Sequence, residues 1–149
     1  MIDLNCRVLV NMTLAVLPYM WKGARILEIY SSSAFQPLPG LNVYAATKAF
    51  VLHYSRALFS RGIHVTAVCP YWIRDTEVYS GLQETRNSRA VRHFTFASHT
   101  WCVAARALVD SRLNLPVSTP GIACCLERIL AKFIPHEITT LFWKGIRRI

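Results

Sequence analysis

Tyr44 and Lys48 stand four residues apart in the sequence, and Ser31 precedes Tyr44 by thirteen residues. Residues four apart share one face of a helix, so this phenol and this ammonium would lie side by side. A hydroxyl at the end of a preceding strand could reach the same point. The chain has 6 tyrosines, and only Tyr44 has a lysine four positions later. The three side chains therefore predict an acid/base site.

The flanking sequence predicts the elements that would position these side chains. A mostly apolar strand over 24–30 ends at a serine cluster, and a loop with two prolines and a glycine follows. A helix is predicted over 44–59 and a second strand over 63–69, which stops at Pro70. This order forms one right-handed crossover of a parallel sheet. Ligands of such sheets bind beyond the carboxyl ends of the strands, where Ser31 and Pro70 would lie.

Over residues 26–70 the sequence resembles the short-chain dehydrogenases/reductases. The shared pattern is an apolar strand ending in a serine, a Tyr-x-x-x-Lys helix and a strand ending in proline. Residues 2–5 look like the start of the helix that carries the family's catalytic asparagine, and a weaker resemblance continues to the end of the chain. It implies an α/β fold, a partial Rossmann-like doubly wound parallel sheet of about three strands with flanking helices, in one domain over 1–149.

The resemblance also implies the site. Its catalytic residues would be Asn5, Ser31, Tyr44 and Lys48. Residues in contact with the cofactor, NAD or NADP, would be Tyr44, Lys48, Pro70, Ile73 and Thr76. Ser31 would hydrogen-bond the substrate oxygen, Tyr44 would exchange a proton with it, and the nicotinamide would exchange the hydride. Lys48 would also bind the ribose hydroxyls, and Asn5 would hold a water that links Lys48 to solvent.

A free phenol has a pKa of about 10, and a neighbouring ammonium lowers that pKa because its charge favours the phenolate. In this site Lys48 would be that ammonium. Asn11 and the serines at 32 and 33 are interpreted as a polar helix residue and loop hydroxyls, since only Ser31 has the expected spacing.

Three departures from the family pattern affect the interpretation. The family's glycine-rich turn places the pyrophosphate at a helix N-terminus, and the 6 glycines of this chain never fall in that arrangement. The chain would then be the second half of such an enzyme. Tyr71 replaces the usual glycine after Pro70, a feature of family members that act on steroids and long acyl chains, which favours a lipophilic substrate. The Tyr-x-x-x-Lys helix is also about one turn shorter than is usual.

Composition indicates an unusually apolar chain for 149 residues, with 53% hydrophobic and 17% charged residues. Strands buried on both faces would explain this composition, and so would a bare apolar surface. A strand near 25–30 without an inner neighbour would present an open edge that favours pairing with another chain. We therefore expect a homo-oligomer.

The net charge of +9 raises the question of an acidic partner. Arg86, Arg89 and Arg92 recur every three residues, yet no aromatic stacking residues or nucleic-acid module accompany them, so a solvated helix face is favoured and nucleic-acid binding is not expected. Segment 135–149 combines apolar residues with Lys144 and a terminal arginine pair. This segment is amphipathic and could lie on a membrane surface or cover an apolar substrate pocket.

The 5 cysteines form no C-x-x-C pair and have no metal-ligand spacing with the 5 histidines. No metal site is expected, and His93, His99 and His136 are interpreted as surface, loop or helix-start residues. Scattered cysteines without a secretion signal predict reduced thiols and a cytoplasmic location. The charge-free run 8–21 is too short to span a membrane.

Beyond Pro70 the sequence predicts a helix over 100–109, a last strand over 113–118 that Pro116 interrupts, and a helix over 121–133. Similar tails in the family form the wall of the substrate pocket. The favoured function is an NAD(P)-dependent oxidoreductase that interconverts a carbonyl and a secondary alcohol on a small-molecule, lipophilic substrate. The alternative is a catalytically inactive remnant or interaction module that cannot bind the dinucleotide alone. The sequence leaves substrate identity, NAD versus NADP and reaction direction open.

Overall fold

A computed structural model describes residues 1–76 and 97–148 of the chain. Arg86, Arg89, Arg92 and His93 lie outside the described residues. Three parallel strands form one sheet in the order β1-β2-β3. Their bounds are Ile26–Ile29 for β1, Val65–Val68 for β2 and Val117–Ser118 for β3. The fold class predicted from the sequence, a partial Rossmann-like α/β sheet, is confirmed.

Helices connect and flank these strands. The bounds are Leu9–Val16 for α1, Asn42–Ser60 for α2, Thr100–Arg112 for α3, Ile122–Phe133 for α4 and His136–Arg148 for α5. A six-residue π-helical segment, Asp3–Val8, precedes α1, and a short 3₁₀ turn, Ser32–Phe35, follows β1. Helix α2 is the crossover between β1 and β2, as the sequence predicted.

The sheet is covered on both faces because the side chains of a strand alternate. Ala67 and Cys69 at the end of β2 pack in one buried cluster with Val51 of α2 and Cys124 of α4. Between them in sequence, Val68 belongs to a second cluster with residues of α3. All four residues of β2 are buried, which is typical of a central parallel strand.

The last strand is shorter than the segment 113–118 that the sequence predicted. Only Val117 and Ser118 pair with β2, and Leu113 and Asn114 continue from the end of α3. Pro116 has no N–H to donate, but its carbonyl accepts a hydrogen bond of 3.1 Å from the Ala67 amide. The proline therefore stands at the entry of the strand and not within it.

The other predicted elements are confirmed with small changes at their ends. The predicted strands 24–30 and 63–69 are each shorter in the structure, and the predicted helix 100–109 extends to Arg112. The predicted helix 121–133 begins one residue later, because Gly121 has a φ of 97°. This left-handed conformation suits glycine.

Helices α4 and α5 differ from the rest because they expose large apolar side chains. The exposed set comprises Ile122, Leu126, Ile129, Leu130, Phe133, Ile138, Leu141 and Phe142. On α4 these residues recur at helical spacing and so form one face. We call this set the apolar C-terminal surface. In the part of the chain that the structure describes, no helix combines the length and hydropathy needed to cross a bilayer.

Candidate active site

Ser31 lies where the chain leaves β1, at the carboxyl end of the sheet. It has an extended backbone and caps the following 3₁₀ turn, since its Oγ accepts a hydrogen bond of 3.3 Å from the Ser33 amide. The Ser32 amide donates to the carbonyl of Pro70 at 3.2 Å. The serine cluster is thereby joined to the end of β2, the edge at which parallel sheets bind ligands.

Tyr44 and Lys48 lie on the first turns of α2, and both are half-buried. The Lys48 ammonium stands over the Tyr44 ring, 5.7 Å from its centroid, within the range of a cation–π contact. Lys48 Nζ also donates to the carbonyl of Ile29 at 3.5 Å. Because Ile29 is two residues before Ser31, the lysine and the serine lie at the same end of β1.

Burial lowers the pKa of Lys48 below its usual value, since desolvation disfavours the charged ammonium, while Cys6 opposes the shift. Its one hydrogen bond among the described residues is long, so its remaining N–H donors are available to a ligand. A cation in this position can stabilise negative charge on a neighbouring oxygen.

Asn5 reaches the same helix from the π-helical segment. Its Nδ2 donates to Thr47 Oγ1 at 3.0 Å, and that hydroxyl donates to the Tyr44 carbonyl at 2.8 Å. A π-helical turn often marks a functional site, because it re-aims a side chain within a helix. Thr47 was missed by the sequence reasoning, although its place inside the Tyr-x-x-x-Lys spacing is a usable signal.

The segment after β2 carries the remaining predicted cofactor contacts. Ile73 forms an isolated parallel bridge with Ser98, and Thr76 Oγ1 donates to the Ile73 carbonyl at 3.1 Å. Pro70 is buried at the end of β2. Pro70 thus lies beside the serine cluster, while the hydroxyl of Thr76 is used in a local turn.

Two acids near these elements, the buried Glu28 and the half-buried Glu127, were not predicted. Glu28 of β1 accepts hydrogen bonds from Thr13 at 3.0 Å and from Ser55. It is 4% exposed, and burial raises its pKa. The sequence signal for this buried acid was available, because Glu28 is a single acidic residue in an otherwise apolar strand. The network joins α1, β1 and α2 behind the predicted site.

Glu127 of α4 lies against the loop that follows Ser31. Gln36 Nε2 donates to its Oε1 at 3.1 Å. Desolvation raises the pKa of Glu127 to about 7, and hydrogen bonds from Ser32 and Gln36 oppose the shift in part. Nothing in the local sequence distinguishes Glu127 from a surface acid, because its burial depends on how α4 docks.

A nicotinamide cofactor can be tested against these residues. The half-buried Lys48 ammonium with unused N–H donors fits the ribose hydroxyls that it would bind. Tyr44 lies beside it. This donor set fits the nicotinamide end of the dinucleotide. Within the described residues no group of three or more His, Cys, Asp or Glu side chains could hold a metal ion.

The cysteines are free thiols. Cys69 and Cys124 are both buried, and their Sγ atoms lie 3.3 Å apart. Burial raises the pKa of Cys69, so the thiol is favoured over the thiolate.

The comparison with protein families assigns the class. The sequence model of the short chain dehydrogenase family matches residues 1–87. This span is more than half of the 149 residues and contains Asn5, Ser31, Tyr44 and Lys48. The chain belongs to the short-chain dehydrogenase family.

Individual relatives agree with this class. Human "very-long-chain 3-oxoacyl-CoA reductase" is 42% identical over 131 residues, which cover 78% of this chain and 42% of the relative. The zebrafish (Danio rerio) "very-long-chain 3-oxoacyl-CoA reductase-A" is 39% identical over 142 residues, covering 77% of this chain and 43% of the relative. "Uncharacterized oxidoreductase YghA" of Escherichia coli is 42% identical over 71 residues, covering 45% of this chain and 24% of the relative. The chain thus spans less than half the length of these curated relatives. No solved structure gives a significant match.

Proposed function

We propose that this chain is the catalytic part of an NAD(P)-dependent oxidoreductase that interconverts a carbonyl and a secondary alcohol. One observation carries the proposal. Lys48 stands over the Tyr44 ring and donates to the carbonyl of Ile29, two residues before Ser31. A phenol, an ammonium and a hydroxyl therefore occur at the carboxyl end of one strand, where parallel sheets bind ligands.

The roles follow from the chemistry of each group. NAD(P)H supplies the hydride when it is bound. The Ser31 hydroxyl orients the substrate oxygen by a hydrogen bond, and Tyr44 transfers a proton to that oxygen as charge develops on it. The Lys48 ammonium stabilises the negative phenolate that Tyr44 becomes. Asn5 acts through Thr47, which holds the carbonyl of Tyr44.

The proposed substrate is a lipophilic 3-oxoacyl thioester. Two relatives are named as reductases of very-long-chain 3-oxoacyl-CoA. A cavity of about 740 Å³ lies beside α2, and its lining includes the apolar Phe35, Leu38 and Ala49 together with Lys144, but none of the three proposed catalytic side chains. This volume suits a drug-sized or larger apolar group.

Titration with NADH and NADPH tests the cofactor step. Saturable enhancement of nucleotide fluorescence is expected for the purified chain, together with loss of binding in Lys48→Met, which removes the ribose donor. Lys22→Met changes an exposed lysine and serves as the control. Absence of saturable binding by either nucleotide would overturn the active-enzyme proposal.

A non-catalytic remnant or interaction module is the second candidate. The sequence has no glycine-rich turn for the pyrophosphate, and β1 pairs with β2 alone among the described strands. Ile29 at the end of β1 is 53% exposed. An open strand edge favours pairing with another chain, so we also propose a homo-oligomer. Sedimentation equilibrium tests this proposal, and a concentration-independent monomer would contradict it.

Peripheral membrane contact through the C-terminal segment is a further part of the proposal. The apolar C-terminal surface is exposed, and α4 and α5 carry more cationic than acidic residues, five against two. Large apolar side chains with cations nearby favour the interface of an anionic bilayer. The cytoplasmic location and the single-domain organisation stay predictions.

A further inference from the structure

A small cavity of about 140 Å³ lies between α2, β3 and α4. Four of the residues that line it carry basic side chains. These are His53 and Arg56 of α2, and Arg128 and Lys132 of α4. We call this set the basic cavity. Its floor is apolar and includes Phe35, Leu52 and Val117.

The basic side chains converge from two helices that are far apart in sequence. His53 and Arg56 are three residues apart and share a face of α2, while Arg128 and Lys132 are four apart and share a face of α4. No acidic side chain lines the cavity within the described residues. The ion pairs of the described chain are Arg7–Asp3, His99–Asp75 and Arg106–Asp110. None of them neutralises the basic cavity.

Such an arrangement is unfavourable without a counter-charge. Like charges at i and i+4 of a helix, as at Arg128 and Lys132, destabilise it, and the half-buried Arg128 guanidinium has less water to screen it than the exposed Arg56. A phosphate offers oxygens that accept charge-assisted, often bidentate, hydrogen bonds from arginine. Occupation by such an anion would remove the repulsion.

The basic cavity adjoins the larger cavity of about 740 Å³, because Ala34, Phe35 and His53 line both. The wall of the larger cavity is mostly apolar along the loop after β1 and along α2, where it includes Leu38 and Ala49. His136, Thr140 and Lys144 of α5 also line the larger cavity, so the two cavities together combine cationic side chains with an apolar stretch along α2 and the loop. Their common ligand should therefore carry both kinds of group.

We propose that the basic cavity is a binding site for a phosphate group borne by an organic ligand whose apolar part extends into the larger cavity. The apolar part would occupy the cavity proposed above for the acyl substrate, and in that respect the site rests on the proposed function. Phosphate binding in the basic cavity is measured without turnover, so its failure can be told apart from failure of the oxidoreductase activity.

Calorimetric titration with inorganic phosphate and with hexyl phosphate tests the site. Arg56→Gln/Arg128→Gln removes two cations from the cavity. Lys22→Gln/Arg61→Gln removes the same charge from exposed positions elsewhere and is the matched control. The cavity variant should weaken phosphate binding about tenfold or more, since each lost bond to a charged group is worth about a factor of ten. The control should bind like the wild-type chain.

Equal weakening in both variants would show that net charge alone attracts the anion, and it would overturn the proposal. Absence of saturable phosphate binding by the wild-type chain would overturn it as well. Circular dichroism verifies the fold of each variant. If the double variant does not fold, the exposed Lys132→Gln takes its place, with Lys22→Gln as control.

The apolar part of the proposal has its own test. Hexyl phosphate should bind more tightly than inorganic phosphate, because burial of each CH₂ contributes about 0.8 kcal/mol, which is roughly fourfold in affinity. Ala49→Phe, in the wall of the larger cavity, should remove this advantage and leave inorganic phosphate binding unchanged. Equal affinity for the two phosphates in the wild-type chain would overturn the joint use of both cavities.

Discussion

The central region, residues 26–70, buries or half-buries most of its apolar side chains. The two C-terminal helices, α4 and α5, leave most of their large apolar side chains exposed. In the central region, Val51 and Val65 are at most 1% exposed. In the C-terminal helices, Phe133 is 80% and Phe142 is 71% exposed. Helix α4 instead turns Cys124 and Glu127 inward. The first region is stabilised by its own packing, while the second leaves large apolar side chains uncovered by the described residues.

The largest expected effect concerns the catalytic group of the central region. Tyr44→Phe removes only the phenolic oxygen, so the fold should persist while carbonyl reduction falls about 10²–10⁴-fold, the contribution of a positioned acid/base. Steady-state oxidation of NADPH with a 3-oxoacyl thioester measures it. Tyr19→Phe, at a position 83% exposed, is the control. Unchanged turnover in Tyr44→Phe would place the chemistry elsewhere.

A pair of leucine variants tests the packing contrast directly. Leu52→Ala truncates a side chain of α2 that is 8% exposed, and Leu126→Ala truncates one of α4 that is 55% exposed. The free energy of unfolding should fall by about 3 kcal/mol in the first and by less than about 0.5 kcal/mol in the second. Urea denaturation followed by circular dichroism measures both. A similar loss in the two variants would show that α4 is packed as tightly as α2.

The inward-facing acid of α4 predicts a pH dependence of stability. The native pKa of Glu127, about 7, lies above its ordinary value of 4.5, so the native state binds more protons between these limits. The free energy of unfolding should therefore decrease as pH rises from 4.5 to about 7, by about 2 kcal/mol. Glu28, with its raised pKa, acts in the same direction.

Glu127→Gln should flatten most of this slope and make the chain more stable at pH 8 than the wild type. Urea denaturation at pH 5 and pH 8 gives the comparison. Glu137→Gln changes an exposed acid in the first turn of α5 and should keep the wild-type slope. A slope that survives in Glu127→Gln would assign the titration to another group.

The smallest expected effect concerns the apolar C-terminal surface. Phe133→Ser should lower partitioning onto vesicles that contain anionic lipid by about tenfold, because a buried phenylalanine contributes about 1.5–3 kcal/mol. Co-sedimentation with phosphatidylserine-containing and neutral vesicles measures it. Trp21→Ser, at a position 78% exposed outside α4 and α5, is the control. Equal partitioning of both variants would remove the case for a membrane at this surface.

The central region was predictable from sequence because its information is local. Short strand-like runs, the first mostly apolar, and a helical pattern predicted β1, α2 and β2 in the right order, with ends that differ by one or two residues. The last strand was predicted over 113–118 and is confirmed only at Val117 and Ser118, because Leu113 and Asn114 continue from the end of α3.

The residues in and around the candidate site divide in the same way. Tyr44 and Lys48 share a helix, so their spacing alone predicted their contact. The partners of Asn5, Glu28 and Glu127 come from elements 42, 27 and 91 residues away in sequence. No periodicity encodes such contacts, because they arise only when the helices dock on the sheet.

The hydroxyl of Thr47 has a single hydrogen, and it is given to the Tyr44 carbonyl. Towards Asn5 it can therefore only accept, which fixes the rotation of the Asn5 carboxamide with its NH₂ group towards Thr47. The amide oxygen is left as an acceptor for a donor on the opposite side. In an Asn5→Asp variant a carboxylate oxygen would face the Thr47 oxygen, and two acceptors cannot form a hydrogen bond with each other. The Thr47 hydroxyl would then have to donate to the aspartate and give up its hydrogen bond to the Tyr44 carbonyl. Serine is thus the conservative exchange at position 47, and valine, despite its matching shape, is not.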